Sequence, residues 1–304
     1  MSQDQKNVSS FRTVAPVSAA DDPLGPLKDL VGFWQGPGFN LIARPDFDSA
    51  NEDGFFLELN GLIETIDFTP IGSPIMNRGS VQEDIALYGV TYLQRVTDAD
   101  TGGALHVEPG VFLNIPATTD PPADASIARL STIPHGNSVC AYGPVIELEP
   151  KGTPELPPLN TVPFPIGGEP PAPGTPNPYK VYDLAEESPH RTHPLPKGIK
   201  QEWIDDPMQF QRDAVAGKYV ETMTILAAAA GESCVGNIPF ISRNANSVTL
   251  ESHWAIQRVQ RTPDQVISDA PSEYLQLQYA QTTLLNFNGM SFPHVSVGTL
   301  VKAF

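Results

Sequence analysis

Alternation of apolar and polar residues runs through both flanks of this chain and limits its fold more than any other feature. Past Phe55, Leu57, Leu59, Gly61 and Ile63 fall on one side of an extended backbone, and Phe56, Glu58, Asn60 and Glu64 on the other. Successive side chains of a strand point to opposite faces, so this period of two reads as β structure. Tyr88, Val90 and Tyr92 repeat it against Gly89, Thr91 and Leu93, as do Leu275, Leu277 and Tyr279 against Gln276, Gln278 and Ala280. Residues 106–113, 127–133, 138–142, 219–227, 248–259, 274–285 and 294–302 read as further strands. The turn cluster from Asp98 to Gly103 predicts an antiparallel hairpin.

Proline sets the second constraint. About half of the chain's 32 prolines lie between Gly143 and Lys200. Proline fixes φ and has no ladder N–H, so residues 143–200 cannot be central sheet and read as a long surface insertion in extended form. Asp22, Pro23 and the apolar residues Leu24, Leu27, Leu30 and Val31 predict a short N-terminal helix leading toward Trp34. A second short helix is expected from Asp205 to Gly217, with a Pro near its start and a Gly at its end. The first 20 residues read as a flexible arm, leaving 21–304 as one domain. Many antiparallel strands in series with few helices give the expected fold: an all-β, antiparallel closed barrel of about ten strands, carrying the proline-rich insertion. A barrel that wide leaves room inside for a ligand.

Eighteen Lys and Arg against 35 Asp and Glu give a net charge of −17. Such a field repels polyanions and anionic bilayers, so no nucleic acid and no membrane is expected as a partner. The polar start, Met1 to Lys6, lacks the apolar stretch of a secretory leader, and a cytoplasmic location is the expectation. Cys140 and Cys234 are the chain's two cysteines and read as packed thiols. Neither a Ser/His/Asp arrangement nor a Gly-x-Ser-x-Gly elbow is visible, which removes the support for hydrolase chemistry.

Three segments stand out. In Gly32-Phe33-Trp34-Gln35-Gly36-Pro37-Gly38, glycines permit close backbone packing and the indole supplies a large plug. In Leu105-His106-Val107-Glu108-Pro109-Gly110, His106 and Glu108 share one strand face, where a carboxylate can hold an imidazole in one tautomer. In Phe292-Pro293-His294-Val295-Ser296-Val297-Gly298, His294, Ser296 and Gly298 share a face that becomes progressively smaller, leaving space beside the imidazole. His190 and His193 lie among prolines that preclude helical ligand geometry, His135 reads as a turn residue, and His253 as part of a strand face.

In this order the three segments resemble the signature segments of the nitrobindin family, a fatty-acid-binding-protein-like barrel of ten strands that holds heme b. The resemblance covers the flanks and leaves the proline-rich middle unmatched. It implies that His294 is the iron ligand, that His106 stands on the other side of the heme, and that Trp34, Gly36 and Gly38 belong to the cofactor-binding framework. The implied chemistry is that of a heme protein acting on nitric oxide and peroxynitrite, as an isomerase, or on peroxide, with His106 and Glu108 as the catalytic acid–base pair. The alternative expectation is a heme-free carrier of a hydrophobic small molecule, such as a fatty acid, in the same cavity.

Overall fold

The computed structural model describes residues 22–48, 50–261 and 272–303; the arm expected over residues 1–20 lies outside them. Ten strands carry the architecture: β1 (Gly32–Pro45), β2 (Phe55–Pro70), β3 (Ile85–Asp98), β4 (Ala104–Ile115), β5 (Ser126–Ile133), β6 (Asn137–Gly143), β7 (Tyr219–Ala230), β8 (Asn246–Gln260), β9 (Glu273–Phe287) and β10 (Met290–Lys302). Each pairs antiparallel with its neighbour in the series, apart from the β6–β7 step, and β10 returns to β1. A single pairing of Ala229 with Tyr142 joins β7 to β6 and closes the barrel. The expected closed antiparallel barrel is therefore the fold. No helix among the described residues is long and apolar enough to cross a membrane.

The predicted N-terminal helix is a 3-10 turn, Gly25–Leu30, entered through a hydrogen bond from Leu24 N to Asp22 Oδ1 of 2.9 Å. Its Leu27 and Leu30 are fully buried and seal one end of the barrel, where Leu30 O accepts from Trp34 Nε1 at 2.6 Å. Inside that end, Phe68, Phe112 and Trp254 pack as an aromatic plug, with Phe112 and Trp254 edge to face at 5.5 Å. Each such ring contact adds roughly 0.5–1.5 kcal/mol beyond its burial. The helix expected from Asp205 to Gly217 is divided into α1 (Gln201–Asp205) and α2 (Met208–Val215). Asp206 and Pro207 separate them, and the Asp206 carboxylate accepts from Met208 N at 3.1 Å as a local cap.

The proline-rich insertion does not merely cross the surface. On the open half of the barrel the usual polarity is inverted: Phe39, Leu41, Ala43, Leu57, Leu59, Val295 and Val297 are buried although their face of the sheet looks outward. Val181, Tyr182, Ile204 and Met208, from the insertion and the helices that follow, cover that face and make a second core outside the barrel. The insertion also completes the edge of β2. Leu57 N donates to His190 O at 2.9 Å, and Thr192 N donates to Leu57 O at 3.0 Å, beyond the stretch where β2 pairs with β3. An edge strand left bare would expose unpaired backbone groups, so this contact satisfies a demand of the fold.

Arg191 holds the insertion in shape. It is buried, and its guanidinium donates to Val181 O at 2.8 Å, Asp183 O at 2.6 Å and Glu186 O at 2.6 Å. Arg191→Ala strands those carbonyls and is expected to lower stability by about 3 kcal/mol. Urea unfolding measures that loss, and limited proteolysis should show new cleavage within residues 150–200. An unchanged midpoint and cleavage pattern would mean that the insertion does not depend on this side chain.

Candidate ligand chamber

The barrel's interior has three levels. Above the aromatic plug lies a layer of buried polar side chains, and above that layer a chamber of about 360 Å³ opens at the end opposite the 3-10 turn. Its volume is in the lower part of the range of roughly 300–1,000 Å³ usual for small-ligand sites. Apolar residues, among them Ile42, Leu62, Val96, Ile133 and Val139, form much of the wall.

Glycines make the polar layer possible. A Cβ on Gly38 would overlap the Glu64 carboxyl, one on Gly298 the Tyr279 ring, and one on Gly110 the Tyr92 ring. At Gly36 a Cβ would run into the backbone of Thr299 and Leu300, so β1 and β10 approach closely only because that side chain is missing. Trp34, Gly36 and Gly38 thus stand below the chamber and shape what lies under it; none of them lines the cavity. Their motif records the space required by Glu64, Tyr279 and the sheet backbone.

Two buried acids occupy the layer in different states. Glu108 on β4 accepts from Arg129 of β5 at 2.6 Å and from the Tyr92 hydroxyl, while Arg129 donates to Tyr92 Oη at 3.0 Å and to Gln281 Oε1 at 2.6 Å. The guanidinium also lies 5.0 Å from the Trp254 ring centre. Burial pushes the Glu108 carboxyl upward, but Arg129, His106 and Tyr92 outweigh it and hold the group far below the usual carboxylate range. Glu64 on β2 has no cation bonded to it. It accepts from Tyr279 Oη at 2.6 Å and from Gln94 Nε2 at 2.8 Å. Burial raises its pKa from 4.5 to about 7, against the opposing pull of Tyr279, Gln94 and His106.

Three imidazoles face the chamber. His294, near the start of β10, lines it together with Ser296 of the same strand face. Its Nε2 lies 2.8 Å from Asn40 Nδ2; an amide nitrogen only donates, so Nε2 is the acceptor and the proton sits on Nδ1. Burial, then His106 and His135, lowers its pKa to about 4, so the ring is neutral at pH 7. His106, four strands around the barrel from β10, also lines the chamber and stands 3.3 Å from Glu108 Oε2. The predicted His106–Glu108 pair is thus formed, with Glu108 engaged below by Arg129. His135, in the β5–β6 turn, stacks on His106 with ring centres 6.1 Å apart and planes at 28°. Burial and His106 lower its pKa.

The sequence gives no site role to His135, which reads as a turn residue, or to Asn40, Glu64, Arg129 and Tyr279. Asn40 could have been found, since it continues the face of Trp34, Gly36 and Gly38; Arg129 shares a face with the apolar Ile127. His190 lies outside the chamber with Nδ1 3.6 Å from Asp46, and His193 and His253 are exposed. No group of three or more His, Cys, Asp or Glu side chains among the described residues is arranged to hold a metal ion by itself.

Glu64 yields a signed pH prediction. Between about pH 4.5 and 7 the folded protein keeps a proton that the unfolded chain has released, so this group lowers stability as pH rises through that window. The loss approaches roughly 3 kcal/mol above it. Glu64→Gln removes the term, so urea unfolding should find the variant gaining on the wild type from about pH 5 to about pH 8. The terms from Glu108 and His294 are common to both proteins and cancel. A difference that stays flat with pH would show that Glu64 is ionised in the folded state.

Comparison with protein-family profiles finds no match, and neither does comparison with curated protein sequences. Among solved structures, Rv2717c from M. tuberculosis is similar to the chain with a TM-score of 0.44 and 11% identity, over 93% of this chain and 98% of that one. That likeness is too distant to transfer residues or activity.

Proposed function

We propose that the barrel binds heme b in the chamber, with His294 as the iron ligand, as in the nitrobindin family whose signature segments its own resemble. One observation carries the reading: a neutral imidazole on the chamber wall, its Nε2 held by Asn40, faced by His106 and His135 from the far wall. The residues fit such a group. Asn40 Nδ2 releases Nε2 without being stranded, because Ser296 Oγ at 2.7 Å and Val295 O at 3.4 Å remain as acceptors.

Bound heme supplies chemistry toward nitric oxide, peroxynitrite or peroxide. The chain supplies the surroundings. Glu108 holds the proton of His106 on Nε2, which leaves Nδ1 as an acceptor, and His135 can donate a hydrogen bond to a small ligand between these rings and His294. The plug below keeps water from entering by the sealed end.

The apolar part of the wall favours a second reading, a heme-free carrier of a hydrophobic molecule such as a fatty acid. Against it stands the polar layer. A buried carboxylate head group needs a cation, and Arg129 already donates to Glu108, Tyr92 and Gln281 while Glu64 adds a second acid.

Purified protein mixed with hemin is expected to develop a Soret band, and His294→Ala should weaken binding by about tenfold or more. An absent band, or one that His294→Ala leaves unchanged, refutes the heme reading. Acyl-lipid mass in native mass spectrometry of the protein as isolated would select the carrier instead.

A further inference from the structure

We propose that Arg44 reads the acid edge of the bound molecule, holding a porphyrin carboxylate at the mouth of the chamber. The inference rests on the heme reading above and adds an orientation to it. The apolar edge of the ring goes in, and the propionate groups stay at the mouth.

The strand order places Arg44 at the rim. β1 starts beside the 3-10 turn that seals the barrel and ends at Pro45, so its last inward side chain stands at the open end. Asn40, Ile42 and Arg44 share that inward face, and all three line the chamber. Asn40 bonds His294, and the Arg44 backbone lies about 13 Å further along the strand. Among the described residues, Arg44 is the only Lys or Arg that lines the chamber. Arg129 lies beneath, with its donors already engaged.

The guanidinium is set in advance. Its Nε donates to Glu58 Oε2 at 3.0 Å, and its Cζ lies 4.4 Å from the ring centre of Phe56, the cross-strand partner of Arg44 on β2. Glu58 is itself held by Asn60 Nδ2 at 3.3 Å. Nη1 and Nη2 donate to no described residue, and the side chain is about half exposed. A planar fork pinned at one edge and open at the other suits a carboxylate, which can accept from both terminal nitrogens at once.

Glu58 and Asp46 lie near this cation, and the chain as a whole is acidic. The rim therefore does not draw acids from a distance. Recognition there is local, through the geometry of the fork, and Glu58 competes with the incoming carboxylate for it.

Hemin and hemin dimethyl ester, whose acids are capped as neutral esters, test the assignment when titrated into wild type, Arg44→Ala and Glu58→Gln. Arg44→Ala should bind hemin about fivefold more weakly and the ester as the wild type does. Glu58→Gln removes the competing acid and should bind hemin more tightly, again without effect on the ester. Equal losses for both porphyrins would show that Arg44 only shapes the wall. That result, or hemin binding that Arg44→Ala leaves unchanged, would overturn the proposal while the heme reading stands. No Soret band with either porphyrin would refute both.

Discussion

A guanidinium sealed in the middle of a β-barrel must be neutralised where it stands, and the interior of this protein is arranged around that demand. Arg129 is almost without solvent contact, and each of its terminal nitrogens and its Nε has a bonded partner. Glu108 supplies the opposing charge. Breaking such a pair by removing one member leaves a buried charge uncompensated, which costs on the order of 3–5 kcal/mol. Tyr92 reaches both members because Gly110 gives its ring space, and Gln281 reaches in from β9. The layer so formed separates a filled half of the barrel from an open one.

That division explains how one fold supplies both stability and a site. Below the layer, Phe68, Phe112 and Trp254 fill the width of the barrel with rings, and the 3-10 turn covers the end. Above it, the inward side chains, among them Asn40, Asn60, His106 and His294 beside Ile42, Leu62 and Val96, do not fill the space. Apolar burial lost from the inside of that half is recovered on its outside, where the insertion and α2 pack against Phe39, Leu41, Val295 and Val297. The proline-rich segment thus lets the open half of the barrel keep a hollow interior and still possess a core.

Much of this was legible in the sequence, because a period of two leaves a clear trace wherever one face of a strand is buried. Strand number, the shared face of His294 and Ser296 and the shared face of His106 and Glu108 all follow from it, and the turn cluster from Asp98 to Gly103 adds the antiparallel order. What the pattern could not say is which of two faces looks inward. In Phe39-Asn40-Leu41-Ile42-Ala43-Arg44 the outward face is the more apolar one, since it is covered by residues far away in the chain that have no periodicity of their own. Gly36 and Gly38 fit a cofactor-binding framework by resemblance, whereas physically they clear space for a backbone and for Glu64. His135 read as a turn residue, and it is one; the turn stands at the chamber mouth, so the ring still faces the site. Turn chemistry carries no information about what a turn overlooks.

The chemistry of the chamber turns on the state of one ring. An NMR titration that follows the imidazole nitrogens of His294 in the ligand-free protein should find it neutral, with the proton on Nδ1, until the pH falls to about 4. Ordinary titration near pH 6.5, the value of a solvated imidazole, would place the ring in water and contradict the chamber described above.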